Sequence, residues 1–342
     1  MKAAPRLRAA VLAALSLAFA TAATASEEEM LGGHEGWLDR MGGGIKELGM
    51  GNAGTAAEDA MPAAYWNPAI LAFGREPTVG LGADIRSLSR NGGYVSLQGR
   101  VAGNMGLGVG LLNRGDFDVP INDADEKHIW TARPQSIGSY LGVGLKTSRS
   151  NAFGAAVQWY SSNLDLGDEV NTGTINVIGI FNLGWYKRWG ALRTAVVVRN
   201  LGINPDLSAN FDQTTSSGDE TGGFERTATD FFPKTLVLAG YYTARAWQHD
   251  WDLALELLDY QLKPEVLVTD ANFHHQGLRA GVDWHYHQDL DVRGGFDRGN
   301  LSLGLGYVLT WGKRKLLFDY ALVLEKGLLT VNPYAVGLRF KL

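Results

Sequence analysis

The chain has 342 residues, with 31 Lys+Arg against 36 Asp+Glu, no cysteine, 44 glycines and 10 tryptophans. Its net charge of −5 argues against nucleic acid as a partner, and the lack of cysteine excludes disulfides and a lipid-anchored cysteine. Glycine this frequent without a collagen period points to tight turns and closely approached strands.

Lys2, Arg6 and Arg8 precede an apolar core over 9–22 and the A-x-A site Ala23-Thr24-Ala25. This is the pattern of a cleaved secretory signal peptide over residues 1–25. Its removal leaves 28 basic against 36 acidic residues, which deepens the acidic balance. No later window approaches eighteen consecutive apolar residues, so no membrane-crossing helix is expected.

Residues 26–75 are expected to form a hatch, or plug, inside whatever the rest of the chain builds. Gly49, Gly51, Ala53, Gly54, Ala56 and Ala57 are small enough for the backbone to pass close to other backbones. Asp59 is the expected N-cap of a short helix with Pro62 in its first turn. That helix should stop near Trp66, because Asn67 precedes Pro68 and is pushed out of the helical region. Asn67 can then cap a second turn, Pro68-Ala69 onward, leaving Tyr65 and Trp66 at the break to wedge against a wall. Gly49, Gly51 and Gly54 also spell G-x-G-x-x-G, but no apolar strand precedes it and no βαβ unit surrounds it, so no dinucleotide cofactor is expected.

From Glu76 onward the residues alternate with period two, the mark of strands with two different faces. Fourteen strands are predicted, at 77–87, 93–102, 105–113, 136–147, 151–161, 173–186, 191–201, 234–245, 250–261, 275–287, 289–298, 300–311, 315–325 and 330–342. Tight turns follow the even-numbered strands. Long connections over 114–135, 162–172, 202–233 and 262–274 follow odd-numbered ones, although two near the C-terminus, around Gly299 and Gly327, are short. The apolar rows are continuous from strand to strand, and seven tryptophans, from Trp159 to Trp311, fall near strand ends. Together these features predict an all-β fold over 76–342: an antiparallel transmembrane barrel of about fourteen strands in outer-membrane lipid. Both termini then lie in the periplasm and the long loops outside.

The opposite faces carry charge of both signs. Asp252, Glu256, Arg279, Asp283, Asp291, Arg293, Asp297, Asp319 and Arg339 are expected to point into the lumen and hold a plug in place, which favours a closed resting state. His285 should point inward with them. His285 and His287 share a face and His274 is adjacent to His275, but the sequence places no third ligand, so no metal site is expected. No G-x-S-x-G occurs, and no enzyme is expected. The acidic runs at 122–126 and 216–220 match no complete calcium loop and read as solvated surface.

Leu48-Gly49-Met50-Gly51, Ala57, Asp59 and Ala64-Tyr65-Trp66-Asn67-Pro68-Ala69 resemble the N-terminal hatch of the PorV/PorQ family, within the FadL-like group of outer-membrane barrels. Phe232-Pro233-Lys234-Thr235, Gly277 to Gly281, Arg293-Gly294-Gly295, Gly304 to Gly306 and Asp319-Tyr320-Ala321 resemble its late strands. The likeness covers the hatch and the last third; residues 100–230 match in pattern only. The resemblance implies a fourteen-stranded barrel with a luminal hatch. It also implies one of two roles: an accessory working with secretion-apparatus proteins, as for PorV relatives, or a channel for hydrophobic small molecules such as long-chain fatty acids, as for FadL relatives.

Overall fold

The structure is a computed structural model that describes residues 42–74, 76–86, 90–116, 119–122, 128–165, 173–202, 208–211, 224–227, 234–262, 273–312, 314–325 and 334–342. The expected signal peptide, residues 26–41 and both acidic runs beyond Asn122 lie outside the described residues, as do the side chains of His274 and His275.

Strands form where the two-residue alternation is sustained. They are β1 Thr78–Ile85, β2 Arg90–Ala102, β3 Met105–Asp116, β4 Val119–Asn122, β5 His128–Lys146, β6 Asn151–Asp165, β7 Gly173–Trp189, β8 Leu192–Leu201, β9 Ser208–Phe211 and β10 Phe224–Thr227. They continue as β11 Lys234–Ala246, β12 His249–Leu262, β13 Phe273–His287, β14 Leu290–Asp297, β15 Asn300–Trp311, β16 Arg314–Leu324 and β17 Tyr334–Lys341. Each long strand pairs antiparallel with the next long strand. The ring closes where β1 meets β17, with Leu81 opposite Leu338. β5 continues from β3, with Val109 opposite Leu141. The result is a closed barrel of fourteen antiparallel strands. The short β4 is an extra arm on β5, and among the described residues β9 and β10 pair only with each other. These three elements fall inside connections that alternation alone left as loop.

The outward faces are apolar. Val95, Leu97, Val109, Leu141, Phe153, Leu183, Leu192, Leu238, Leu257, Leu303, Leu305 and Val336 are all exposed, and they belong to strands on both sides of the ring. A soluble monomer rarely exposes contiguous apolar patches beyond a few hundred Å². Lipid is the solvent that suits this coat, and closure leaves no unpaired strand edge within it. At the end closed by tight turns the coat becomes aromatic. Trp251 stacks on Trp284 at 5.2 Å, Trp247 meets Trp251 edge-on at 5.9 Å, and Trp311 is 90% exposed. Such rings mark a headgroup boundary. Trp159 differs from its expected place: it stands within β6, six residues short of Asp165.

Inside the ring lie residues 42–74. They form a short helix α1 (Ile45–Gly49), a second, α2 (Ala63–Trp66), and a 3-10 turn at Pro68–Phe73. Asn67 caps that last turn as its sequence position suggests, its Oδ1 accepting from the Ala69 amide at 2.9 Å. Asp59 does not cap α2. Pro62 occupies the cap position and makes no side-chain cap bond. Asp59 lies too far upstream of the helix start, and its carboxylate is engaged by cations.

Candidate functional site

The inner segment meets the wall through glycines and small residues. Gly51 has a φ of 64° and lies so close to β13 and β14 that a methyl on it would overlap the Phe296 backbone. The wall answers in kind. A methyl on Gly295 would overlap Gly51 and Met50, and one on Gly304 would stand 3.0 Å from the Gly49 Cα. On the opposite wall, Gly144 and Gly154 face the backbone of Pro68 and Ala69. Much of the chain's glycine is thus spent on backbone-to-backbone approach between segment and barrel.

The aromatic pair at the break is fully enclosed. Tyr65 meets Tyr140 of β5 edge-on at 5.6 Å, and the Arg199 guanidinium stands 4.8 Å from its ring centre. Trp66, 0% exposed, donates its indole N–H to the Gly43 carbonyl at 2.8 Å, and Arg199 donates to the Trp66 carbonyl at 3.0 Å. Tyr65 therefore faces the wall, while Trp66 folds back and fixes the segment's own turn.

The predicted inward charges all face the lumen and fall into three linked groups. In the first, Arg279 stands between Asp297, with Nε 3.1 Å from Oδ1, and Glu256, with Nη1 3.8 Å from Oε2. The inner segment joins it: Asn52 donates to Asp297 at 2.7 Å, and the Thr55 amide donates to Glu256 at 2.6 Å. In the second, Arg339 holds Asp319 with two nitrogens, at 2.6 and 3.0 Å, while Arg293 reaches Asp319 at 2.7 Å, Asp283 at 3.1 Å and Asp291 at 3.1 Å. Asp59 of the segment enters here, 3.2 Å from Arg339 and 2.8 Å from Lys46. In the third, His285 lies between Asp252, at 3.1 Å, and Asp291, at 2.6 Å, and Tyr241 donates to Asp252 at 3.0 Å.

Buried charges are tolerable only when paired, and here carboxylates and cations alternate. Asp283, His285 and Asp291 bring ligand atoms within 4.8 Å of one another, so the structure groups one histidine with two carboxylates where the sequence offered a histidine pair. His287 is not among them; it turns to Asp289, 3.8 Å away. The would-be cation position is contested by Arg293 and by Lys46, whose Nζ is 3.7 Å from Asp283. Both ring nitrogens of His285 already face carboxylates. The group therefore reads as an ion-pair network.

Several anchors were not singled out from the sequence. Gln98 of β2 accepts from the Ala63 amide at 2.8 Å and donates to the Ala60 carbonyl at 3.1 Å. Arg114 of β3 donates to the Gly42 carbonyl at 2.8 Å and pairs with Asp84 at 2.6 Å. Glu58 is gripped by Arg188 and Tyr186 of β7. Arg199, Arg188 and Gln98 lie on the inward rows of their strands, so alternation carried a signal for them. Arg114 fell just past the predicted end of its strand. The segment's described backbone-to-backbone bonds stay within itself. Side chains around the ring hold it, and among the described residues no strand ladder does.

The class defined by this architecture is a transmembrane β-barrel with an internal segment seated by side-chain bonds. A scan against family models and a search of curated proteins gave no match. Solved structures share the fold. The Pseudomonas putida toluene transporter TodX is 14% identical, with 87% of this chain and 96% of that one covered at a TM-score of 0.55. The Ralstonia pickettii toluene transporter TbuX is 14% identical, with 87% and 97% covered at 0.54. A Pseudomonas aeruginosa FadL homologue is 11% identical, with 87% and 96% covered at 0.53. At these identities the likeness establishes a FadL-like barrel fold and nothing finer.

Proposed function

We propose that the protein is an outer-membrane channel for hydrophobic small molecules, closed at rest by the segment over residues 42–74. The observation that carries this reading is that segment. It lies buried inside the ring, yet side-chain hydrogen bonds and ion pairs hold it, so it can shift without opening the barrel wall. The fold shared with two toluene transporters and a FadL homologue supports the same reading. The work of the site is positioning and gating, and it needs no cofactor. A second reading, an accessory to protein secretion, draws its support from the PorV/PorQ likeness of Leu48 to Gly51 and Ala64 to Ala69.

Uptake separates the two. Cells whose outer membrane limits entry, expressing this chain, should take up labelled toluene or oleate several-fold faster and sucrose no faster. Equal acceleration of sucrose, or none of either hydrophobic probe, would overturn the channel reading. A stoichiometric secretion protein co-purifying from gently solubilised membranes would favour the second.

A further inference from the structure

The turn-closed end of the barrel carries cations outside the three ion-pair groups described above. Arg100 of β2, Lys146 of β5, Arg193 of β8, Arg245 of β11, Lys315 of β16 and Lys341 of β17 all stand on the lumen-facing rows at that end. They ring the mouth. Arg100 and Lys315 are exposed, and Arg245 is 79% exposed with one carboxylate, Asp250, at 3.9 Å. Lys146 lies over the Phe73 ring, 4.5 Å from its centre. Arg193 donates to the Thr243 hydroxyl at 2.8 Å.

The carboxylates nearest these cations are shared with other partners. Glu58 is taken by Arg188 and Tyr186, and Asp59 by Lys46 and Arg339. Lys146 feels Glu58 but also the like charges of Arg100 and Arg188, and Lys341 feels Asp59 but also the like charges of Arg339, Lys46 and Lys315. At the opposite end the described cations Arg86, Arg90 and Arg298 each face a carboxylate, Asp84 at 2.8 Å, Glu325 at 2.5 Å and Asp297 at 3.0 Å.

We infer that the turn-closed mouth is a docking surface for an acidic soluble protein. Lipid headgroups suit it poorly, because these six side chains share the lumen-facing rows and the apolar coat is on the other face. A small anion suits it poorly as well, because the cations come from strands spread round the ring and do not converge on one point. An extended acidic surface meets all of them at once, and a field of one sign at a mouth also steers such a partner in. The inference stands on the charges of the mouth and not on what the lumen carries.

The test uses the full chain in nanodiscs of zwitterionic lipid, with a labelled poly-glutamate peptide as probe and poly-lysine as its opposite. Poly-glutamate should bind, poly-lysine should not, and binding should fade as salt shortens the screening length. The triple variant Arg100→Gln, Arg245→Gln, Lys315→Gln should weaken binding by about tenfold or more, as loss of interfacial charge does. Arg314→Gln, on the outward row beside Lys315, should leave it unchanged. Heat-modifiable gel mobility verifies that each variant is folded. Equal binding by the triple variant would overturn the inference. So would complete displacement by inorganic phosphate at matched charge, which would mean a small-anion site, or binding only when anionic lipid is added. Uptake of hydrophobic probes by the triple variant should stay at the parent level, so the two proposals fail separately.

Discussion

Arg279 is 0% exposed and answers two carboxylates, Glu256 and Asp297, each of which also receives a bond from the inner segment. Arg279→Met keeps the bulk and removes the charge, leaving Glu256 buried without its ion-pair partner and Asp297 with Arg298 alone. Breaking a buried pair in this way costs about 3–5 kcal/mol. The variant should convert from its compact to its unfolded gel form at a clearly lower temperature than the parent. Glu47 is the opposite case. Burial pushes its carboxyl up to about 8, against the nearby Arg339 and Lys46, and its Oε1 lacks a hydrogen-bond partner among the described residues. In its seat Glu47 keeps a proton that it would release near its ordinary value in water. Seating of the segment is therefore strongest below about pH 4.5, weakens as pH rises, and levels off above about pH 8. Asp59 is held well below the usual carboxylate range by Lys46 and Arg339, and Lys46 is held above its ordinary value by Asp59 and Asp283, so neither titrates in that window. Channel openings in planar bilayers should become more frequent from pH 5 to pH 8.5. Glu47→Gln should flatten that profile; an unchanged slope would assign it to another group.

At the scale of the element, the inner segment depends on glycines in the wall. Gly295→Val gives β14 a residue that strands accept well, but its side chain would meet the Gly51 and Met50 backbone, which cannot swing aside as a flexible side chain can. The barrel should assemble, since its bonds run between strands, while the segment should fail to seat. Protease cleavage within residues 42–74 of the reconstituted variant, with the parent resistant, would report this. Asn67→Ala removes the Ala69 cap and the Asn67 side-chain bond to the Thr55 carbonyl at 3.2 Å. Loss of the cap alone costs about 0.5–2 kcal/mol, so amide exchange should quicken across 67–73 and not in the strands. The fourteen strands were legible because alternation and tight turns are local signals, and each predicted span overlaps an observed strand. The same alternation told which charges share a face. It could not tell which charges meet: Arg339 and Asp59 are 280 positions apart, and Arg279 finds Asp297 only through the β13–β14 register. The role of Asp59 was misread for that reason, since a local cap is visible in a sequence and a distant arginine is not. The short β4, β9 and β10 were missed because four residues are too few for a period to show.

At the scale of the molecule, an apolar coat outside and paired charges inside make a barrel for lipid, and the side-chain-held segment is proposed to close it. The account's central claim is that this segment is the gate. Single-channel recording in planar bilayers tests it most directly, comparing the intact chain with one lacking residues 42–74, both shown to be folded by heat-modifiable mobility. The intact protein should give rare, small openings and the deletion a steady conductance. Equal conductance from both would contradict the claim and leave the segment a passive filling of a pore that something else closes.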